Sequence, residues 1–346
     1  MIRIKFKYKP YEFNFKHSFE SSQRKYFKRK VIYVSVYDSD DIAWGEISPL
    51  PELGTESYEE ALNAIEKVSG KEYLLFSKEL EKFELLQSLT KLPATKAAVE
   101  LALINFLQKK NKFVFDENNI RSVKLNAVVG VNEINLTRKK IQSKIKNGFS
   151  TIKLKVKGNI AEDIKYLRAI VQEFNCRFRV DVNGRWSLQD LMKYRKTIEE
   201  FNFEYIEEPT QSLAENILIS KYIKTPVALD ESYSNVCDLQ KYDITKNIFI
   251  VVKPVLKGGY FSSLRIINYA RKQKIPVILS SALETIVGFK LNLLLLPFMT
   301  SEFAHGLATL GMLDLSPINF NNEIIFEKGI LSKENISSIL EYKFNV

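Results

Sequence analysis

Six charged residues define the chemistry open to this chain: Lys153, Lys155, Asp181, Glu207, Asp230 and Lys253. Each stands within or at the end of a short apolar run. The first run reads Thr151-Ile152-Lys153-Leu154-Lys155-Val156. On a strand, residues two apart share a face, so both lysines point one way and Ile152, Leu154 and Val156 the other. Two lysines in an apolar strand are costly to bury unless a site uses them. The later runs end Val180-Asp181-Val182-Asn183-Gly184, Tyr205-Ile206-Glu207-Glu208-Pro209, Ala228-Leu229-Asp230-Glu231, Val251-Val252-Lys253-Pro254 and Ile278-Leu279-Ser280-Ser281. The separations 207 − 181 = 26, 230 − 207 = 23 and 253 − 230 = 23 each match one strand-and-helix unit.

One acid at a strand end is ordinarily a turn or cap residue, and a buried ion-pair partner is the lesser reading of Lys153 taken alone. Three acids on successive strand ends, flanked by lysines on both sides, point to a metal site. Asp181, Glu207 and Asp230 offer hard oxygen donors with no Cys and no suitably spaced His, a set suited to Mg²⁺, or Mn²⁺ in its place, rather than zinc. A small-molecule carboxylate bound there sits between two amines. The metal neutralises the carboxylate and stabilises the charge left when the α-proton departs, and a lysine takes that proton. A lysine base must be neutral to act; desolvation and a neighbouring cation both favour the neutral amine.

The elements that must position these groups follow from the apolar rhythm. Residues 1–50 alternate as antiparallel strands: 2–8, 11–15, 31–37 and 42–46, with a polar connection over 17–30. Helical spacing predicts helices over 58–68, 72–88 and 94–109, with Ser57 and Thr95 as caps. From about residue 122 strands and helices alternate. Strands are predicted at 124–129, 151–156, 178–182, 204–206, 227–230, 248–253 and 277–280, with a weak one near Phe303. Helices are predicted at 160–174, 188–201 and 262–272. Eight such strands in about 200 residues suit a closed α/β barrel with its site at the strands' C-terminal ends. The alternative, a doubly wound open sheet, ordinarily carries a glycine-rich turn after its first strand, which this chain lacks. A last strand is expected at 323–326, returning to the N-terminal region.

The totals narrow the rest. The 346 residues are 45% hydrophobic and 27% charged, with 13 Gly and 10 Pro, a globular composition without long linkers. No apolar stretch is long enough for a membrane span, and the alternating start Met1-Ile2-Arg3-Ile4-Lys5 reads as a strand, not a signal peptide. The net charge of +10 invites a nucleic-acid reading. The basic residues are scattered apart from the run Arg24 to Lys30, so no nucleic-acid partner is expected. Cys176 and Cys237 form neither metal spacing nor a disulfide framework, which fits a cytoplasmic setting.

The ordered set Lys153-x-Lys155, Asp181, Glu207, Asp230, Lys253 resembles the muconate-lactonising subgroup of the enolase superfamily over nearly the whole chain. Within it the segments 228–232, 252–259 and 280–285 are most similar to the o-succinylbenzoate synthases. The resemblance implies a modified (β/α)7β barrel with an α+β capping domain, divided as 1–115 cap, 116–318 barrel and 319–346 returning to the cap. It also implies a lysine base working beside Mg²⁺ and a syn dehydration in menaquinone biosynthesis. Lys155 would be base and then acid, and Lys253 the opposing amine, or the reverse. Ser280, Ser281 and Gly306 would hold the succinyl tail. Asn183 is expected to orient a ligand, and Glu208 and Glu231 to pair with basic groups, Glu231 within reach of Lys253. His17 and His305 are expected to be peripheral or structural. The alternative activity is dipeptide epimerisation or N-acylamino acid racemisation. Dipeptide epimerases usually carry Asp-x-Asp near the last strand, where this chain reads Ser301-Glu302-Phe303-Ala304-His305-Gly306. The loop motif Ser-Arg-Gly is replaced by Ser21-Ser22-Gln23-Arg24-Lys25.

Overall fold

The structure is a computed structural model describing every residue except 21–24, 116–118, 245, 301, 321–327 and 345–346; the side chains of 17–20, 25, 77 and 78 are also outside the description. The expected strand at 323–326, the Ser21–Lys25 loop motif and the His17 side chain therefore lie outside the described residues.

The N-terminal sheet has order β3-β2-β1-β4 and is antiparallel throughout. Its strands are β1 (Ile2–Glu20), β2 (Lys25–Tyr37), β3 (Ile42–Ile47) and β4 (Glu72–Leu75). The polar stretch expected as a connection instead continues the hairpin, because β1 and β2 stay paired as far as Glu20 and Lys25. Helices α1 (Tyr58–Val68), α2 (Glu84–Ser88) and α3 (Pro93–Lys109) accompany it. Ser57 caps α1 through a capping box with Glu60, as its sequence pattern predicts. The long helix expected over 72–88 is broken into β4, a 3-10 turn and α2. Thr95 lies inside α3 rather than capping it; the Glu56 carboxylate takes that role, accepting from the amides of Ala94 at 3.1 Å and Thr95 at 2.6 Å. Gly45 lets β3 lie against α3, since a Cβ there would stand 2.0 Å from the Ala98 carbonyl oxygen.

The barrel begins with the short β5 (Val123–Lys124) and β6 (Asn126–Val129), then alternates α4 (Ile134–Lys146), β7 (Thr151–Lys155), α5 (Ile160–Val171), β8 (Arg177–Asp181), α6 (Leu188–Glu199), β9 (Tyr205–Glu207), α7 (Leu213–Ser220), β10 (Val227–Leu229), α8 (Val236–Gln240), β11 (Ile248–Val252), α9 (Tyr260–Gln273), β12 (Val277–Leu279) and α10 (Ile286–Leu295). The seven strands β6 to β12 pair in chain order, all parallel. The residues after Phe303 close the ring: His305 bridges Leu125 beside β6 and Gly306 bridges Ser280 beyond β12, both parallel. Chain-order pairing with closure rules out the doubly wound alternative. At the end, β13 (Ile330–Leu331) pairs antiparallel with β5, and α11 (Lys333–Glu341) precedes Phe344, whose ring meets Tyr33 and Trp44 of the N-terminal sheet at 4.5 and 5.1 Å.

Two buried acids of the cap reach into the barrel and satisfy the open N-termini of its helices. Glu46 on β3 accepts from the Thr285 amide at 2.9 Å and the Gly288 amide at 2.9 Å at the start of α10, and from the Thr285 hydroxyl. Glu100 on α3 accepts from the Phe261 amide at 2.8 Å at the start of α9, while Lys96 donates to the Gly258 carbonyl at 2.6 Å. Gly259 has φ 108°, and a Cβ there would meet Glu100 Oε1 at 2.8 Å. Gly258-Gly259 thus serves helix entry and cap docking. Arg29 on β2 donates to the carbonyls of Ser48 and Pro49, both at 2.6 Å, and of Leu283 at 3.1 Å. Replacing Glu46 by Ala would strand buried amides at the head of α10, each costing about 1–3 kcal/mol. Urea unfolding of Glu46→Ala should show a loss of about 2–4 kcal/mol by that scale; an unchanged midpoint would remove this contact from the docking.

Candidate active site

Register brings the charged residues to one end of the barrel. Lys155 pairs with Asp181 across β7 and β8, and Asp181 with Glu207 across β8 and β9. Ala228 on β10 pairs with Glu207, placing Asp230 just beyond the strand. In an eight-stranded ring β7 and β11 stand opposite, so Lys153 and Lys155 face Lys253 across the mouth. Asp181, Glu207 and Asp230 are each buried to 2% exposure or less.

The carboxylates and ammonium groups interleave. Lys153 Nζ lies 3.0 Å from Asp181 Oδ2 and 2.7 Å from Glu207 Oε1. Lys155 Nζ lies 3.2 Å from the same Asp181 oxygen and donates to Asn183 Oδ1 at 3.0 Å. Lys253 Nζ pairs with Asp230 Oδ2 and lies 3.3 Å from Glu231 Oε1. Because lysines stand between the acids, no three His, Cys, Asp or Glu side chains among the described residues gather closely enough to hold a metal ion by themselves. The chemistry of the donors still fits a hard dication. They are oxygen-only, buried and contributed by three adjacent strands, and Glu231 Oε2 beside them is buried without a partner.

Burial and charge set the protonation states. Burial opposes the Lys153 ammonium, but the Asp181 and Glu207 carboxylates outweigh it and hold its pKa above the ordinary range. Lys253 is held high in the same way, chiefly by Asp230 and Glu231. Lys153 is therefore a fixed cation rather than an amine poised to deprotonate. Burial would raise the Asp181 carboxyl, yet Lys153, Lys155 and Lys253 together hold it well below the usual range. Asp230 is raised by burial, partly offset by Lys253.

Around this centre the structure sorts the remaining expectations. Asn183, at φ 49°, accepts from Lys155 at its side-chain oxygen and donates its backbone N–H to Asp181 Oδ1 at 3.2 Å, touching both a lysine and an acid. Glu231 reaches Lys253. Among the described residues Glu208 pairs with no basic group: its carboxylate accepts from the Asp230 amide at 2.7 Å and Asn216 Nδ2 at 3.0 Å. The reason is its left-handed backbone, φ 43°, which turns it under the Asp230 turn. Burial, then Glu231, pushes its carboxyl up to about 8. Ser280 and Ser281 donate to the Gly306 carbonyl at 3.4 and 3.1 Å, and Ser281 also meets the Thr309 hydroxyl. His305 is buried inside the barrel, with Nδ1 accepting from the Leu279 amide at 3.2 Å. Burial, then Arg179, lowers its pKa to about 3, so it is a neutral structural group.

Three groups were not legible as site residues: Lys257, Arg29 and Glu284. Lys257 follows Lys253 by one helical turn, a spacing that was open to notice. Arg29 and Glu284 approach the same Ala282–Leu283 backbone only through the fold.

Glu284 has one carboxylate oxygen accepting from the Ala282 amide at 2.8 Å and the other buried without a partner. Burial pushes its pKa up to about 7 from 4.5. A carboxyl with a raised folded pKa binds its proton more tightly in the native state, so its contribution to stability is present below about pH 4.5 and is lost as pH rises through about 7. Glu284→Gln should flatten the fall in stability between about pH 5 and 8, a fall of up to about 3 kcal/mol in the parent. Parallel Tm-against-pH curves for the two proteins would contradict this.

The comparisons with known proteins agree with this architecture. Residues 137–334 match the family described as enolase C-terminal domain-like. The o-succinylbenzoate synthase of Thermobifida fusca is 31% identical over 174 residues, covering 48% of this chain and 54% of that enzyme, so the match spans about half of that relative's length. The L-Ala-D/L-Glu epimerase of Francisella tularensis subsp. novicida is 25% identical over 262 residues, 70% of each chain. A dipeptide epimerase from Enterococcus faecalis, solved with Mg and the dipeptide L-Leu-L-Tyr, superposes with a TM-score of 0.83 over 96% of this chain and 97% of its own at 21% identity, a likeness of fold.

Proposed function

The chain belongs to the enolase superfamily, and on that premise we propose that it is an o-succinylbenzoate synthase. The reaction is the syn dehydration of 2-succinyl-6-hydroxy-2,4-cyclohexadiene-1-carboxylate to 2-succinylbenzoate, a step of menaquinone biosynthesis in the cytoplasm. The observation that carries the reading is the pair of amines, Lys155 from β7 and Lys253 from β11, on opposite sides of three buried carboxylates. Asp181, Glu207 and Asp230 are the residues that would hold Mg²⁺. When bound, the ion neutralises the ring carboxylate and stabilises the charge that develops beside it. Lys155 takes the proton from the carbon bearing that carboxylate. Its ammonium then returns a proton to the hydroxyl leaving from the same face, so water departs and the ring becomes aromatic. Lys253 presents a fixed positive charge to the other face, and Lys153 bridges the Asp181 and Glu207 carboxylates. Ser280, Ser281 and the backbone at Gly306 would receive the succinyl tail. We take 1–115 as cap, 116–318 as barrel and 319–346 as the returning segment.

The second reading, epimerisation of a dipeptide, is favoured by the Francisella relative and uses the same two amines. It asks for an acid to neutralise the substrate's ammonium group near the last strand. The described residues there, 302–306, hold the exposed Glu302 but no Asp-x-Asp, and end on His305 and Gly306, with Gly306 bridged to Ser280. That favours dehydration.

Lys155→Ala should lower kcat for formation of the aromatic product, followed by ultraviolet absorbance, by about 10²–10⁴-fold. Its circular dichroism should be unchanged. Near-parental turnover would remove Lys155 from the mechanism, and the matching Lys253→Ala assay decides which amine is the base. Chelation should abolish turnover and Mg²⁺ restore it. Deuterium exchange into dipeptides without dehydration of the cyclohexadiene would favour the epimerase instead.

A further inference from the structure

The barrel mouth holds a fourth lysine, Lys257, in the connection between β11 and α9. It is 8% exposed. Its Nζ donates to the backbone carbonyl of Asp230 at 2.8 Å and of Tyr233 at 2.5 Å, and lies 3.6 Å from the centre of the Tyr233 ring. Tyr233 is itself anchored, its hydroxyl donating to the Val251 carbonyl on β11 at 2.6 Å. The Lys257 amide donates to the Lys253 carbonyl at 3.1 Å, tying both lysines into one turn. Lys153, Lys155 and Lys253 each touch a carboxylate, whereas the Lys257 contacts are backbone carbonyls and a ring face. Burying an ammonium without a carboxylate is costly, and every contact that offsets the cost converges on the turn from Asp230 to Tyr233.

That turn is gripped from both sides. Glu208 Oε2 accepts from the Asp230 amide at 2.7 Å, and Lys257 donates to the Asp230 carbonyl. The peptide groups flanking the Asp230 side chain are thereby fixed by a carboxyl on one side and an ammonium on the other. The Glu231 carboxylate, one residue on, depends on the same backbone.

We propose that Lys257 is a positioning residue for the divalent-cation site: by clamping the Asp230–Tyr233 turn it sets where the Asp230 and Glu231 carboxylates stand. The inference rests on the metal reading above. Lys257 touches no reacting atom; its effect passes through Asp230.

Charge and position predict opposite outcomes. A cation beside the site repels a dication, so a purely electrostatic Lys257 would weaken metal binding, and its removal would tighten it. A positioning Lys257 does the reverse, because loosening a group that orients a metal ligand ordinarily costs 10–100-fold in metal affinity. The test is calorimetric titration of the full chain with Mn²⁺. Lys257→Met, which keeps the stem, should raise Kd about 10-fold or more. Lys257→Gln, which keeps a donor but no charge, should move it in the same direction. Lys290→Met is the control. Lys290 also donates to two backbone carbonyls, those of Leu340 and Tyr342, but away from the mouth, so its loss should lower Tm and leave Kd unchanged. An unchanged or lower Kd in either folded Lys257 variant, or a rise matched by Lys290→Met, overturns the proposal. A parent protein that takes up no Mn²⁺ would instead overturn the metal reading itself.

Discussion

Charge at the barrel mouth must be balanced where it is buried, and most of the structure around it answers to that requirement. Five acids, Asp181, Glu207, Glu208, Asp230 and Glu231, stand within a few residues of the ends of β8, β9 and β10, four of them buried and Glu231 partly so. An ionised carboxylate removed from water without a partner costs several kcal/mol, so each must find an ammonium or a backbone donor. Lys153 and Lys155 supply one side, Lys253 the other, and the Asp230 amide satisfies Glu208. The parallel register has little freedom as a result. A one-residue slip of β7 would turn both lysines outward and leave Asp181 and Glu207 facing each other uncompensated.

The cap completes that environment by the same means. Its buried acids Glu46 and Glu100 occupy the N-termini of α10 and α9, where oriented amides and the helix dipole favour negative charge. Those helices follow β12 and β11, which carry the Ser280–Ser281 end and Lys253. Anchoring their starts fixes the loops on which the mouth is built. Arg29 adds a direct tie from the cap hairpin to the Ala282–Leu283 backbone, where Leu283 has φ 60°. The strained turn is held by a buried guanidinium whose donors all go to carbonyls.

Membership of the superfamily and the barrel leave the reaction open, since both o-succinylbenzoate synthases and epimerases are among the similar proteins. At the rim the last segment brings Gly306 against Ser280, and the buried Glu284 carboxylate follows four residues after Ser280.

Much of this was legible in the residue pattern. Alternating apolar runs at intervals of 23 to 26 residues, each ending in a charged residue, determined the barrel, its site end and the six charged residues there, because strand periodicity and barrel topology leave side chains no other face to occupy. Local rules also located the Ser57 cap. They failed at Thr95, where a carboxylate distant in sequence outcompeted the hydroxyl, and at 19–20 and 25–26, where hairpin pairing overrode polarity. Only the tertiary structure could decide that lysines interleave with the acids, that Glu208 turns to the Asp230 amide, and that Lys257, Arg29 and Glu284 join the mouth. Each of those outcomes depends on distances between residues far apart in the chain and on how deeply the fold buries them, and neither quantity is carried by the order of the residues alone.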